Sequence, residues 1–289
     1  MRANLCPNPV LYLERGEFMS GFDWLVKRLS TTMVYQRGRV HAQDVSDRPE
    51  FGVHELHNVL LTYDAPTDAK AAARLTGANL PWAEDHFQER VSGEPLNPSP
   101  SEAWWPFKVQ GNAAHKDGQI FSHTYPERMW PKLAGDPDIE KEEGFYNDSG
   151  RRIPAYGIRY NYGDLNDVVH LLARDPFTRQ AFLPIWFPED TGSVDGQRVP
   201  CSLGYHFIRR GTSLDCQYFM RSCDVFRHFQ DDVYMAIRLL QWMCDRLQDR
   251  EFWNDVVPHD DGPYPFVGEM TLFISNLHCF KGDEYRFKS

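Results

Sequence analysis

The stretch from Leu203 to Gln248 constrains the fold more than any other. It begins with "LGYHFIRRGTSLDCQYFMRS", two strand-like runs about the turn "RGTS". Such runs, rich in aromatic and apolar residues and joined by a glycine turn, predict a β-hairpin. "DDVYMAIRLLQWMCDRLQ" follows, with apolar residues at 233, 236, 237, 240, 243 and 244. That spacing lays one apolar stripe along a helix, and Asp231 and Asp232 fall in its first turn. A carboxylate there meets unpaired N–H groups and the positive end of the helix dipole.

The remaining elements extend this pattern. "MSGFDWLVKRLST", 19 to 31, predicts an amphipathic helix, and "FGVHELHNVLLTYD", 51 to 64, a strand rich in apolar residues. Residues 94 to 135 are rich in Pro, Gly and Trp and predict a long ordered loop region, of the kind that carries function. "GDLNDVVHLLARDP" predicts a helix that starts after Gly163-Asp164 and stops before Pro176. "AFLPIWF" predicts a buried strand, and "FVGEMTLFISNLHCF" a last strand. The fold class is α+β, a large bent sheet covered by helices. No repeat or low-complexity tract divides the 289 residues.

Charge and apolar content narrow the function. A formal charge of −10 disfavours a nucleic-acid backbone as partner but permits a small phosphate held by a few arginines. No apolar run approaches the roughly 18 residues that cross a bilayer, and "MRANLCPNPVLYLERGE" lacks the apolar core of a secretory signal. A cytoplasmic location is expected. The six cysteines form no CxxC pair, so a zinc ribbon is not expected and neither is any metal.

Cys201, in "GQRVPCSLGYHF", lies just before the first strand of the hairpin. A lone cysteine is ordinarily a small buried hydrophobe. Arg221, however, follows at the end of the second strand, so pairing of the two strands returns both residues to one edge of the sheet. A guanidinium there lowers the thiol pKa and can hold a phosphate.

Five segments in order now carry a resemblance: "PAYGIRY", "LARDPFTRQ", "RVPC", "LDCQYFMRSCDV" and "SNLHCF". They resemble the thymidylate synthase superfamily over roughly residues 35 to 280, and most of all its phage-type deoxycytidylate (dCMP) 5-hydroxymethylases. The resemblance implies a three-layer fold and a homodimer joined sheet to sheet. It also implies one domain over 1–289, with an N-terminal extension over 1–35 and a shortened C-terminus after 280.

Roles follow by resemblance. Cys201 would add to C6 of a pyrimidine nucleotide, and 5,10-methylenetetrahydrofolate would donate the one-carbon unit. Arg221, Ser222 and Arg179 would bind the 5′-phosphate, Arg179 reaching in from the partner subunit, with Arg48 as a further phosphate arginine. Asp224 and Trp130 would contact the folate. Tyr156 would lie near the C5 proton, His278 at the sugar 3′-hydroxyl, and Glu89 would order water by the base. Gln180, Phe280 and Met220 depart from the family pattern.

The base-reading residue of the family lies eleven positions after the phosphate arginine, which here is Asp232. Uracil-specific members carry asparagine, whose amide both accepts from N3–H and donates to O4. An ionised carboxylate cannot donate, so it would accept from cytosine N4 and share a proton with N3. Only 11 residues follow His278, too few for the tail that excludes water in the synthases. Hydroxymethylation of dCMP is therefore expected, for a phage genome with modified cytosine and so in a host cytoplasm. The alternatives are dCMP or CMP C5-methylation, or a non-catalytic nucleotide-binding relative.

Overall fold

The computed structural model describes residues 10–13, 17–40, 43–106, 116–117, 120–132, 134, 162–191, 199–249 and 265–288. In chain order its main elements are β1 (Val10–Leu13), α1 (Phe18–Leu29), β2 (Val53–Asp64), α2 (Ala69–Thr76), α3 (Trp82–Arg90) and α4 (Tyr125–Met129). They continue as α5 (Leu165–Arg174), β3 (Phe182–Pro184), β4 (Ser202–Arg210), β5 (Ser213–Met220), β6 (Cys223–Asp224), α6 (Phe229–Gln248) and β7 (Phe266–Phe280).

Among the described residues these strands form one seven-stranded sheet in the order β1-β2-β7-β5-β4-β3, with β6 also on β7. β7 is its spine, antiparallel to β2 and parallel to β5. The hairpin forms as expected, from Ser202↔Met220 to Arg210↔Ser213. Register shifts lie between Ser202 and Gly204 and between Val267 and Met270, and such bulges bend a sheet. Gly204 is required where β3 crosses β4, because a Cβ there would come within 2.6 Å of the Leu183 carbonyl oxygen.

One face of the sheet is covered. Along β5, Leu214, Cys216, Tyr218 and Met220 are buried, and α6 lies over them with Val233, Ile237, Leu240 and Cys244. α6 runs 20 residues because nothing in it breaks a helix. α5 starts at a capping box in which Asp164 accepts from the Asp167 amide and Asp167 accepts from the Asp164 amide. α2 ends at Gly77 with φ +67°, the left-handed conformation that suits glycine.

One expectation changes here. "AFLPIWF" is a strand only over Phe182–Pro184, because the amides of Ile185 and Trp186 both turn to the Leu203 carbonyl. The N-terminal segment is built into the core, with β1 paired to β2 and Phe18, Leu25 and Leu29 of α1 fully buried. The long loop region carries a 3-10 helix at Pro100–Trp104 and α4 at Tyr125–Met129.

Candidate active site

The central feature of the site is a break in one strand. β5 pairs with β7 up to Ile274↔Met220, and β6 resumes at Leu277↔Cys223 in the same register. Arg221 and Ser222 leave the ladder without displacing it. The Arg221 amide then donates to the Cys201 carbonyl at 2.9 Å. Its guanidinium donates to the carbonyls of Pro200 at 2.8 Å and Val199 at 3.0 Å, and Nη2 stands 3.9 Å from Cys201 Sγ. One arginine thus fixes the loop that carries the thiol and places beside the sulfur a cation that stabilises a thiolate.

Cys201, Ser222, Asp224 and Asp232 line a single cavity of about 150 Å³. Asp232 enters from the first turn of α6 and is only 8% exposed. Burial raises its carboxyl to about 7; the Arg90 charge opposes the rise and Asp231 adds to it. Asp231 accepts from Asn79 N at 2.7 Å and Asn79 Nδ2 at 2.9 Å, tying the start of α6 to the loop before α3. Asp224 Oδ1 accepts from the amides of Phe226 at 3.0 Å and Arg227 at 3.1 Å. Its Oδ2 is buried with no hydrogen-bond partner, the Arg227 Nε being 3.7 Å away. Burial raises this carboxyl to about 6, against the pull of Arg227.

The opposite wall comes from α3 and the 3-10 helix, which the sequence did not mark. Trp82 and Trp105 lie 6.3 Å apart, and each stacks on an imidazole, His86 and His228 respectively. Arg90 is buried with its guanidinium 4.0 Å over the Tyr125 ring, and its Nε and Nη1 have no hydrogen-bond partner. Ser202 Oγ joins Tyr125 at 3.1 Å to Tyr218 at 2.5 Å beneath Cys201. Polar residues fall on every side of "WAEDHFQER", so no apolar stripe marks its inward face.

The other expected site residues are dispersed. His278 lies behind Ser222, its Nδ1 3.2 Å from Ser222 Oγ, and does not line the cavity. Burial, then Arg37, Arg221 and Arg227, lower it to about 4. Glu89 stands one layer back from the cavity, accepting from Ser101 N at 2.7 Å and Ser101 Oγ at 2.5 Å. Trp130 is not a cavity wall: it is buried and its indole donates to the Arg90 carbonyl at 2.9 Å. Trp82 and Trp105 are the tryptophans that line the cavity. Arg48 is on the surface, paired with Glu50 at 2.9 Å and apart from the cavity. Arg179 is exposed on the turn before β3 and also apart from it. Tyr156 lies outside the described residues.

A thiol beside an arginine, two buried carboxyls and an aromatic wall suit addition of sulfur to a flat polar ring. Residues 123–251 match the thymidylate synthase family. The matched stretch, less than half of the chain, carries Cys201, Arg221, Asp224 and Asp232. Curated thymidylate synthases of Buchnera aphidicola subsp. Acyrthosiphon pisum, strains Tuc7 and 5A, are each 26% identical over 112 residues. Those alignments cover 34% of this chain and 41% of each relative, so the chain spans about two-fifths of the curated relatives it matches. The family match therefore takes in α4, β4, β5, β6 and α6 of the site and does not reach α3. No helix among the described residues is long and apolar enough to cross a membrane. No cluster of three or more metal-ligating side chains occurs among them.

Proposed function

We propose that the protein is a one-carbon transferase acting on a pyrimidine nucleotide, and specifically a dCMP 5-hydroxymethylase. The observation that carries this reading is a buried Asp232, with its carboxyl near 7, in the same cavity as Cys201. Cys201 Sγ adds to C6 of the base, and the electron pair of the C5–C6 bond makes C5 a nucleophile. Asp232 accepts a hydrogen bond from cytosine N4 and shares its proton with N3, which draws electrons into the ring as sulfur adds. Arg221 and Ser222 hold the 5′-phosphate, and Arg221 exchanges its carbonyl partners for phosphate oxygens.

5,10-Methylenetetrahydrofolate supplies the one-carbon unit when bound. The cavity suits a flat heterocycle bearing N–H donors: Trp82 and Trp105 offer ring faces, and the orphaned Asp224 Oδ2 offers an acceptor. Residues 281–288 hold to the sheet, with Asp283 2.7 Å from Arg227 and Glu284 2.8 Å from His54, and contribute nothing to the cavity lining. Water admitted to this cavity would yield a hydroxymethyl rather than a methyl product.

The same raised carboxyl supports a second reading. A protonated Asp232 could donate to uracil O4 and accept from N3–H, so dUMP has a foothold while the proton is held. Cytosine keeps the advantage because N3 shares that proton. Incubating the protein with dCMP, dUMP or CMP plus methylenetetrahydrofolate, followed by mass analysis, tests both. Gain of CH₂O on dCMP is the expected result. Gain of CH₂ with dihydrofolate formed would mean methylation, turnover favouring dUMP would sink the cytosine assignment, and binding without product would mean a non-catalytic relative.

A homodimer joined through the open face of the sheet completes this proposal. Phe219 stacks on Phe273 at 4.8 Å and lies 6.2 Å from Phe182 on that face. Phe182 and Phe273 are 42% and 36% exposed, an apolar cluster that association would cover. Arg179, on the same side of the molecule as the start of β3, is then free to serve a partner's phosphate site.

A further inference from the structure

If water completes the reaction, some group must take its proton. Of the carboxyls that line the cavity, Asp232 is assigned to the base, Asp231 is held by Asn79, and Asp224 accepts two backbone amides on Oδ1 with Oδ2 assigned to the folate, while Glu102 lies on the 3-10 helix. His86 is placed differently. It lines the cavity from α3 and is 8% exposed. Its Nδ1 is 2.8 Å from Ser101 Oγ and 3.2 Å from Glu89 Oε2.

The protons of that trio can be assigned. Glu89 is ionised, since hydrogen bonds from His86 and Ser101 outweigh burial and hold its carboxyl low. It therefore only accepts, and the single Ser101 hydroxyl proton goes to it at 2.5 Å. Ser101 Oγ has no second proton to offer, so His86 Nδ1 must be the donor to it. The imidazole is fixed as the Nδ1–H tautomer, with a lone pair on Nε2. Nε2 makes no hydrogen bond to any described residue and is not sealed from solvent. Burial and the nearby Arg90 charge lower His86 to about 4, with Glu89 pulling the other way, so it is neutral at pH 7.

We propose that His86 Nε2 is the base that takes a proton from the water adding to the one-carbon unit, with Glu89 and Ser101 as its positioning residues. This rests on the hydroxymethyl reading above. After loss of the C5 proton the base carries an exocyclic methylene. The water oxygen bonds to that carbon, and one O–H bond breaks as its proton passes to Nε2. The methylene π pair moves to C5 and reforms the C5–C6 double bond, expelling Cys201 Sγ as the thiolate. The imidazolium then returns its proton to solvent or to the thiolate, so nothing is oxidised or reduced. Glu89 stabilises the transient imidazolium through Nδ1–H.

The test compares tritium released from [5-³H]dCMP with hydroxymethyl product formed, in wild type, H86Q and E89Q. Tritium release reports methylene formation, and product reports water addition. Wild type should give a ratio near one. H86Q should lower the product-to-release ratio about 100-fold, the scale of a lost general base. E89Q should lower it less and shift the pH dependence of product formation, which a merely structural loss would not do. Equal loss of release and product in H86Q, or an unchanged ratio, would overturn the His86 assignment. Methyl product from wild type would instead overturn the hydroxymethyl reading. Nitrogen-15 spectra of histidine-labelled wild-type protein give a check free of turnover. One imidazole should remain an Nδ1–H tautomer from pH 8 to 5.5, and an Nε2–H tautomer at His86 would overturn the proposal.

Discussion

At the scale of single residues, Asp232 joins stability to selectivity. Its folded pKa, about 7, lies above the ordinary aspartate value, so the folded state holds a proton that the unfolded chain has lost. Stability from this group is full below about pH 4, falls as pH rises and is lost above pH 7. Asp232→Asn removes that penalty and should stabilise the protein by roughly 2–4 kcal/mol at pH 8, with no gain near pH 4. Thermal melts at the two pH values read this directly. In catalysis the same substitution should move preference from dCMP toward dUMP, because an amide donates to O4. For the wild-type protein kcat/KM for dCMP and for dUMP should both fall from pH 6 to pH 8, since cytosine N3 and uracil O4 each need the proton that the carboxyl loses there. A fall that persisted unchanged in Asp232→Asn would mean that the base is read elsewhere.

At the scale of elements, one buried ion pair holds the site's floor in place. Arg128, at the end of α4, donates from Nη1 and Nη2 to Asp190 at 2.9 and 2.8 Å, and Asp190 also accepts from the Phe187 amide at 2.8 Å. Both side chains are buried. Arg128→Met should cost about 3–5 kcal/mol, on the order of 10 °C in Tm, because it leaves a buried carboxylate unpaired. Arg128→Met with Asp190→Leu should recover most of the loss. These contacts also show why the elements were unevenly legible. The β4–β5 hairpin and α6 were readable because each repeats one period against one apolar face. α3 was not, since His86, Glu89 and Arg90 turn inward to hydrogen-bond and charge partners that no local pattern encodes. Trp130 and Glu89 lie behind the cavity wall, placed by the fold against Arg90 and His86. Arg221, Ser222, Asp224 and Asp232 were legible together because a strand end and a helix start a few residues apart must converge.

For the whole molecule, the decisive measurement concerns subunit exchange. Cys201→Ser removes the nucleophile and Arg179→Ala removes a cation expected to act across the dimer, so each variant alone should be inactive or nearly so. Mixed and re-equilibrated, half of the dimers would be mixed and one of their two sites would hold both native residues. Activity should return to about a quarter of wild type. No recovery, with exchange verified by mass, would place Arg179 outside the site or the chain outside such a dimer. The open sheet face predicts the same partner, because Phe182, Phe219 and Phe273 cluster where two sheets would meet.

The two-residue gap between β5 and β6 has a consequence for how such a site can diversify. Since the register on β7 is the same on both sides, the gap is held by its flanks and not by the residues inside it. Arg221 and Ser222 thus lie outside the ladder that carries the sheet, as Leu214 and Met220 do not, although Arg221 still ties down the loop that carries Cys201. Side chains in such a window can be exchanged with little disturbance to the sheet, whereas moving the window by one residue would invert every side chain beyond it. The architecture fixes where chemistry happens and leaves which chemistry to a handful of interchangeable positions.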